Sequence, residues 1–173
     1  AEQVQSLKDA GIGLVIVRAS LEKNRNQQGI AEQQLGMLQQ CGMPFQAYSW
    51  AYWADDPAAD ITATIAMIAP FGDNYAKAAD GTFPLWIDCE DDLGSQDGVT
   101  WLKTVKPIIE AAGYTAGIYT AAWWWNSSPH AGTLARSTEF SSWPLWVADY
   151  DHNPDPATFH QFEWGVVSQL NRP

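Results

Sequence analysis

Pro84-Leu85-Trp86-Ile87-Asp88-Cys89-Glu90-Asp91-Asp92 is an apolar run that climbs into four carboxylates and stops. Leu85-Trp86-Ile87 has the composition of a strand buried on both faces. Side chains alternate along a strand, so Asp88 and Glu90 point one way and Cys89 the other. Two positions apart, their Cα atoms lie roughly 6 to 7 Å from each other. Two acids at the carboxyl end of a buried strand are unfavourable unless they are used or solvated. A solvated acidic turn is the plain reading of such a pair; a catalytic carboxylate pair is the sharper one.

Composition narrows the choice. The chain has 173 residues, 46% of them hydrophobic, which suits one domain, residues 1–173, with a full core. Its formal charge of −11 argues against nucleic acid as a partner, because phosphate binding needs clustered Lys and Arg. No apolar run approaches the roughly 18 residues of a membrane span. There are 10 Trp and 6 Tyr, residues that fill cores and also stack on the apolar faces of sugar rings. Cys41 and Cys89 lack a metal-ligand spacing. Cys41 falls near the end of a helix and Cys89 near the carboxyl end of a strand, ends that lie on opposite faces of an α/β sheet or barrel, so both are expected as buried free thiols.

Periodicity orders the rest. Helices are expected over 1–10, 30–40, 56–70 and 97–112, the third opened by Asp56-Pro57 as N-cap and first residue. The polar stretch 21–28 reads as a loop, and Pro107 is expected to kink the fourth helix. Strands are expected over 13–19, 44–50, 84–90, 115–120 and 144–150, with weaker ones over 160–164 and 166–170. Strands alternating with helices imply a parallel sheet or a (β/α) barrel.

In such folds the chemistry gathers at the carboxyl ends of the strands. Those ends carry Tyr48, Trp50, Asp88, Glu90, Tyr119, Trp146 and Asp149. Acids ringed by aromatics suit a neutral, hydroxyl-rich ligand such as a sugar chain, and no glycine-rich phosphate loop is present. Asp149 reads equally as a third cleft carboxylate or as a strand-end cap. Of Trp123-Trp124-Trp125, two are expected in the core, with a sugar platform as the alternative reading of the run. His130, His152 and His160 have no metal-like spacing, and Asp91 and Asp92 read as helix caps or solvated acids.

These stretches resemble the lysozymes of glycoside hydrolase family 25. Leu85-Trp86-Ile87-Asp88-Cys89-Glu90 is similar to the family's Asp-x-Glu strand. Gly117-Ile118-Tyr119-Thr120 and Leu145-Trp146-Val147-Ala148-Asp149-Tyr150 are similar to two later strands. Val15-Ile16-Val17-Arg18-Ala19-Ser20-Leu21-Glu22 resembles a strand usually written with Lys-Ala-Thr-Glu, and Gln46-Ala47-Tyr48-Ser49-Trp50-Ala51 fits the next. The resemblance implies a flattened TIM-like barrel of eight strands and five helices. It implies cleavage of the β-1,4 bond between N-acetylmuramic acid and N-acetylglucosamine in peptidoglycan, with no metal or cofactor. By position, Glu90 would be the general acid, its proton held by the nearby carboxylate, and Asp88 would stabilise charge at the reacting sugar or orient its acetamido group. Tyr48, Trp50, Tyr119, Trp146 and Asp149 would line the groove. A monomer acting on glycan strands outside the cell, or within a phage, is the expected setting.

Two departures from the family pattern stand out. The family opens with an Asp-bearing strand ahead of the helix that here starts at Ala1, so the expected barrel lacks its first strand. In Ser168-Gln169-Leu170-Asn171, Gln169 takes the place of a family Asp. They motivate a second reading, a non-catalytic wall-binding or phage structural domain derived from such an enzyme.

Overall fold

A computed structural model describes residues 2–20 and 26–148, with the side chains of residues 26–28 left aside. Within them the chain alternates as expected: α1 (Glu2–Asp9), β1 (Val15–Arg18), α2 (Asn26–Gln40), β2 (Phe45–Trp50), α3 (Pro57–Ile68), β3 (Pro84–Cys89), α4 (Gly98–Ala111), β4 (Thr115–Ala121), α5 (Ala122–Trp125), α6 (Ser128–Ala131) and β5 (Leu145–Ala148). The five strands lie side by side in the order β1-β2-β3-β4-β5, every pair parallel. This α/β arrangement is a curled half-barrel, in line with the expected fold class. The expected strands over 160–164 and 166–170 lie outside the described residues, as do Glu22, Asp149, His152, His160 and Gln169.

β3 is the middle strand, and its sequence shows why. Leu85, Ile87 and Cys89 are fully buried and belong to one continuous core with Leu35, Ile61, Leu102, Val105 and Ile109 from the helices. Burying an aliphatic side chain of this size stabilises by about 1.5 to 3 kcal/mol, so this face alone pins the strand's register. The alternate residues Trp86 and Asp88 take the concave face.

The helices begin where short polar side chains can cap them. Asp56 Oδ1 accepts from the backbone N–H of Ala58 at 2.9 Å and of Ala59 at 3.4 Å, with Pro57 at the first position of α3. Asp97 does the same for α4, accepting from Thr100 N at 3.2 Å and Thr100 Oγ1 at 2.6 Å. Gly113, at φ 86°, ends that element in a conformation that suits glycine. Helix α4 runs unbroken through Pro107. Helix α2 starts at Asn26, inside the stretch expected to be a loop: Gln is a good helix former, no proline intervenes, and a helix anchored through Leu35 and Leu38 propagates backward. Neither cysteine is in a disulfide, Cys89 being buried as expected and Cys41 only half-buried.

The carboxyl end of β3 is clamped from both sides. Ala51 N donates to the Asp88 carbonyl at 3.0 Å, and Thr120 Oγ1 donates to the Cys89 carbonyl at 2.8 Å. The peptide groups beside the two acids are thereby satisfied, which fixes where the acids point. The loop that follows is held by Trp53, whose indole N–H donates to the Asp91 carbonyl at 2.9 Å. Trp53 itself stacks on Trp124 at 6.2 Å and 11° and meets Trp101 edge-on at 5.3 Å.

Candidate active site

The strand register assembles the site as a row. Trp50 on β2 is the partner of Asp88 on β3, Asp88 of Tyr119 on β4, and Tyr119 of Trp146 on β5. Register partners on a parallel sheet point to the same face, so four residues 96 positions apart in sequence form one line across the concave surface. One step down lies a second row, Arg18–Tyr48–Trp86–Gly117. Gly117 leaves the space that Trp86 fills: a Cβ there would sit 2.7 Å from Trp86 Cε3. Trp86 is fixed by its N–H to Gln46 Oε1 at 2.9 Å and packs edge-on against Trp146 at 5.8 Å. Trp146 also meets Tyr119 at 4.4 Å. Tyr48, Trp50, Tyr119 and Trp146 are all half-buried, with ring surface left to present.

The two acids have different surroundings. Asp88 is 3% exposed, and its Oδ1 is buried with no hydrogen-bond partner among the described residues. Burial raises its pKa to about 7, repulsion from Glu90 adds to the rise, and the positive charge of Arg18 opposes it. Glu90 is half-buried and lies further toward the open end of the site. Burial raises its pKa too, and a hydrogen bond from Tyr119 pulls it back down. The expectation that a neighbouring carboxylate holds the proton on Glu90 is therefore modified. Burial raises Glu90, and the mutual repulsion is felt most at the more buried Asp88. Both acids are thus raised by burial, and the charge of Glu90 adds to the rise at Asp88.

Arg18 is the site residue that sequence reasoning left out. Its guanidinium lies over the Trp50 ring, 5.2 Å from the centroid. Its Nη2 donates to Tyr52 Oη at 2.8 Å and its Nε to Ser20 Oγ at 3.1 Å. A signal was available: a lone cation closing the strand Val15-Ile16-Val17, beside a site of acids. The pair Asp92–His130 was also missed. His130 Nδ1 lies 2.5 Å from Asp92 Oδ1; Asp92 is not a helix cap, and its side chain is largely exposed to solvent, as the second reading of it expected, with His130 as its partner. Past Glu90 a groove of about 350 Å³ opens between the loops after β2 and β3, lined by Tyr52, Asp55, Asp91, Asp92 and Gln96 among others. No group of three or more metal-ligating side chains occurs among the described residues.

The sequence profile of the glycosyl hydrolases family 25 matches residues 2–166. The chain belongs to this family. A probable GH family 25 lysozyme 2 of Dictyostelium discoideum is 30% identical over 100 residues, 55% of this chain and 45% of the relative. Among solved structures, the modular autolysin LytC of Streptococcus pneumoniae superposes with a TM-score of 0.62 at 18% identity, over 87% of this chain and 35% of that one. A further structure of LytC holds a synthetic peptidoglycan ligand. The catalytic domain of endolysin ply40, from bacteriophage P40 of Listeria monocytogenes, gives 0.52 at 18% identity over 70% of this chain and 58% of its own. These likenesses bear out the expected fold, and the chain spans less than half the length of the Dictyostelium relative.

Proposed function

We propose that this site is that of a lysozyme-type peptidoglycan hydrolase, cutting the β-1,4 bond between N-acetylmuramic acid and N-acetylglucosamine. The observation that carries the reading is the Asp88/Glu90 pair, centred in a row of aromatic side chains at the carboxyl end of the middle strand of a family 25 half-barrel. Half-buried Tyr48, Trp50, Tyr119 and Trp146 offer ring faces to sugars, while the net charge of −11 disfavours polyphosphates such as nucleic acid. LytC, a structural neighbour, was solved with a peptidoglycan ligand, which fits the same substrate class.

In this reading Glu90 is the general acid. It reaches toward the opening, whereas Asp88 Oδ1 is closed off and cannot meet a leaving oxygen. As the bond from the anomeric carbon to the leaving oxygen breaks, that oxygen takes the proton of Glu90. Water then adds its hydroxyl to the anomeric carbon and returns a proton to Glu90. Positive charge developing on the sugar is stabilised by the Asp88 carboxylate, and the same charge favours ionised Asp88 with protonated Glu90. Tyr119 donates to Glu90, and that bond strengthens as Glu90 becomes a carboxylate, so it favours the transition state over the ground state. The work requires access to cell wall, outside the membrane or in a phage particle.

The test is loss of turbidity of a purified cell-wall suspension, comparing the unmodified chain with Glu90→Gln. Clearing by the former and not by the latter is expected. Wall binding without clearing by the unmodified chain would favour a non-catalytic module instead.

A further inference from the structure

The run Trp123-Trp124-Trp125 is divided by the fold. Trp124 and Trp125 are 0% and 1% exposed, inside the core, whereas Trp123 is 58% exposed. An exposed indole is ordinary by itself. This one is held in place. The His130 ring meets it edge-on at 5.6 Å and 82°, and His130 is in turn fixed by Asp92 through Nδ1 and by its own carbonyl, which accepts from Leu93 N at 2.9 Å. Trp123 therefore stands braced on one side by His130, just past the carboxyl end of β4 and four positions beyond Tyr119 in the chain.

Asp92 links this platform to the groove beyond Glu90: it holds His130 on one side and lines the groove on the other. The groove, at about 350 Å³, lies within the range of small-molecule sites. Three carboxylates, Asp55, Asp91 and Asp92, line it, which disfavours an anionic occupant and leaves acceptors for hydroxyl and amide N–H groups.

We propose that Trp123, the His130–Asp92 pair that holds it, and the groove across Asp92 form an outlying saccharide subsite, taking a neutral N-acetylglucosamine unit of a glycan strand beyond the bond that is cut. This rests on the glycan-cleaving reading given above. The indole face covers the apolar face of a sugar ring, and Asp92 accepts from its hydroxyls. A strand long enough to span from Asp88/Glu90 to Trp123 binds more tightly than one that fills the central row alone.

The test measures binding by calorimetry to the Glu90→Gln chain, using peptide-free glycan fragments with their lactyl carboxyls capped as amides, in two lengths, a tetrasaccharide and an octasaccharide. The octasaccharide is expected to bind about ten-fold more tightly, and Trp123→Ala to remove that advantage while leaving tetrasaccharide affinity in place. Trp123→Phe, which keeps a ring, retains most of it. Equal affinity for both lengths, an advantage that survives Trp123→Ala, or a gain that appears only when stem peptides are attached, overturns the subsite. Thermal unfolding of each variant confirms that the exposed side chain was removed without loss of the fold. Turnover of the octasaccharide by the unmodified chain, followed in parallel, separates the two ideas. Turnover without length-dependent binding removes the subsite alone, and length-dependent binding lost in Trp123→Ala without turnover removes the enzymatic reading alone.

Discussion

Tyr119 is the register partner of Asp88, yet its hydroxyl donates to Glu90, and Asp88 Oδ1 is left buried without a partner among the described residues. The strand geometry thus separates two acids of the same face. Burial raises the pKa of both, and the Tyr119 hydroxyl offsets part of that rise at Glu90 alone.

Asp88 makes folding pH-dependent. Its pKa rises from 3.8 to about 7 on folding, so the folded state binds a proton that the unfolded state has already lost. Stability therefore falls as pH rises across that window and levels off above it, by roughly 4 kcal/mol for about three units. Asp88→Asn removes this loss. Its unfolding midpoint at pH 8 should exceed that of the unmodified chain by several degrees, while clearing of cell walls collapses. Equal midpoints at pH 8 would show that Asp88 is not held near neutrality.

Removing the Tyr119 hydroxyl should change the basic limb of activity. The hydrogen bond lowers the pKa of Glu90, so Tyr119→Phe raises it. A general acid works only while protonated, so the fall in rate at high pH moves to higher pH. The maximal rate drops about ten-fold, because the forming carboxylate loses a donor. A pH–rate profile that keeps its basic limb in place contradicts the assignment of Glu90 as the acid.

Arg18 should govern the opposite limb. Its charge opposes the rise in the pKa of Asp88, and Asp88 acts in its ionised form. Arg18→Met lets the pKa rise further, so activity at the acid side is lost at a higher pH and the active window narrows. Arg18→Lys, which keeps the charge, preserves most of the window but gives up the planar stack on Trp50. The measurement is kcat/KM across pH for the three chains, and an unmoved acid limb in Arg18→Met counts against the electrostatic role.

Much of this site could be read from the chain because strand alternation is a short-range rule. Asp88 and Glu90 follow from their spacing, and Tyr48, Trp50, Tyr119 and Trp146 from their places at strand ends. What could not be read depends on contacts between distant segments. Arg18 becomes part of the site only when Tyr52, 34 positions away, accepts its hydrogen bond. Asp92 is the solvated acid its sequence suggests, but its partner His130 lies 38 positions on. The extra turns of α2 escaped for another reason: a polar stretch carries no period to reveal a helix that tertiary anchoring extends.

Gly117 tests how tightly the aromatic floor is built. A methyl group there would meet Trp86 at 2.7 and 2.9 Å, and Trp86 is held by Gln46 and packed against Trp146. Gly117→Ala should lower stability by about 1 to 3 kcal/mol in denaturant unfolding, the usual scale of overpacking. Unchanged stability would mean that the floor has room to spare.

The account centres on glycan cleavage by Glu90 on the muramic acid side. The most direct measurement is mass analysis of soluble fragments from purified peptidoglycan after borohydride reduction, for the unmodified chain and for Glu90→Gln. Fragments ending in reduced N-acetylmuramic acid, absent with Glu90→Gln, are the predicted result. Fragments ending in reduced N-acetylglucosamine, or the same release from both chains, would contradict it.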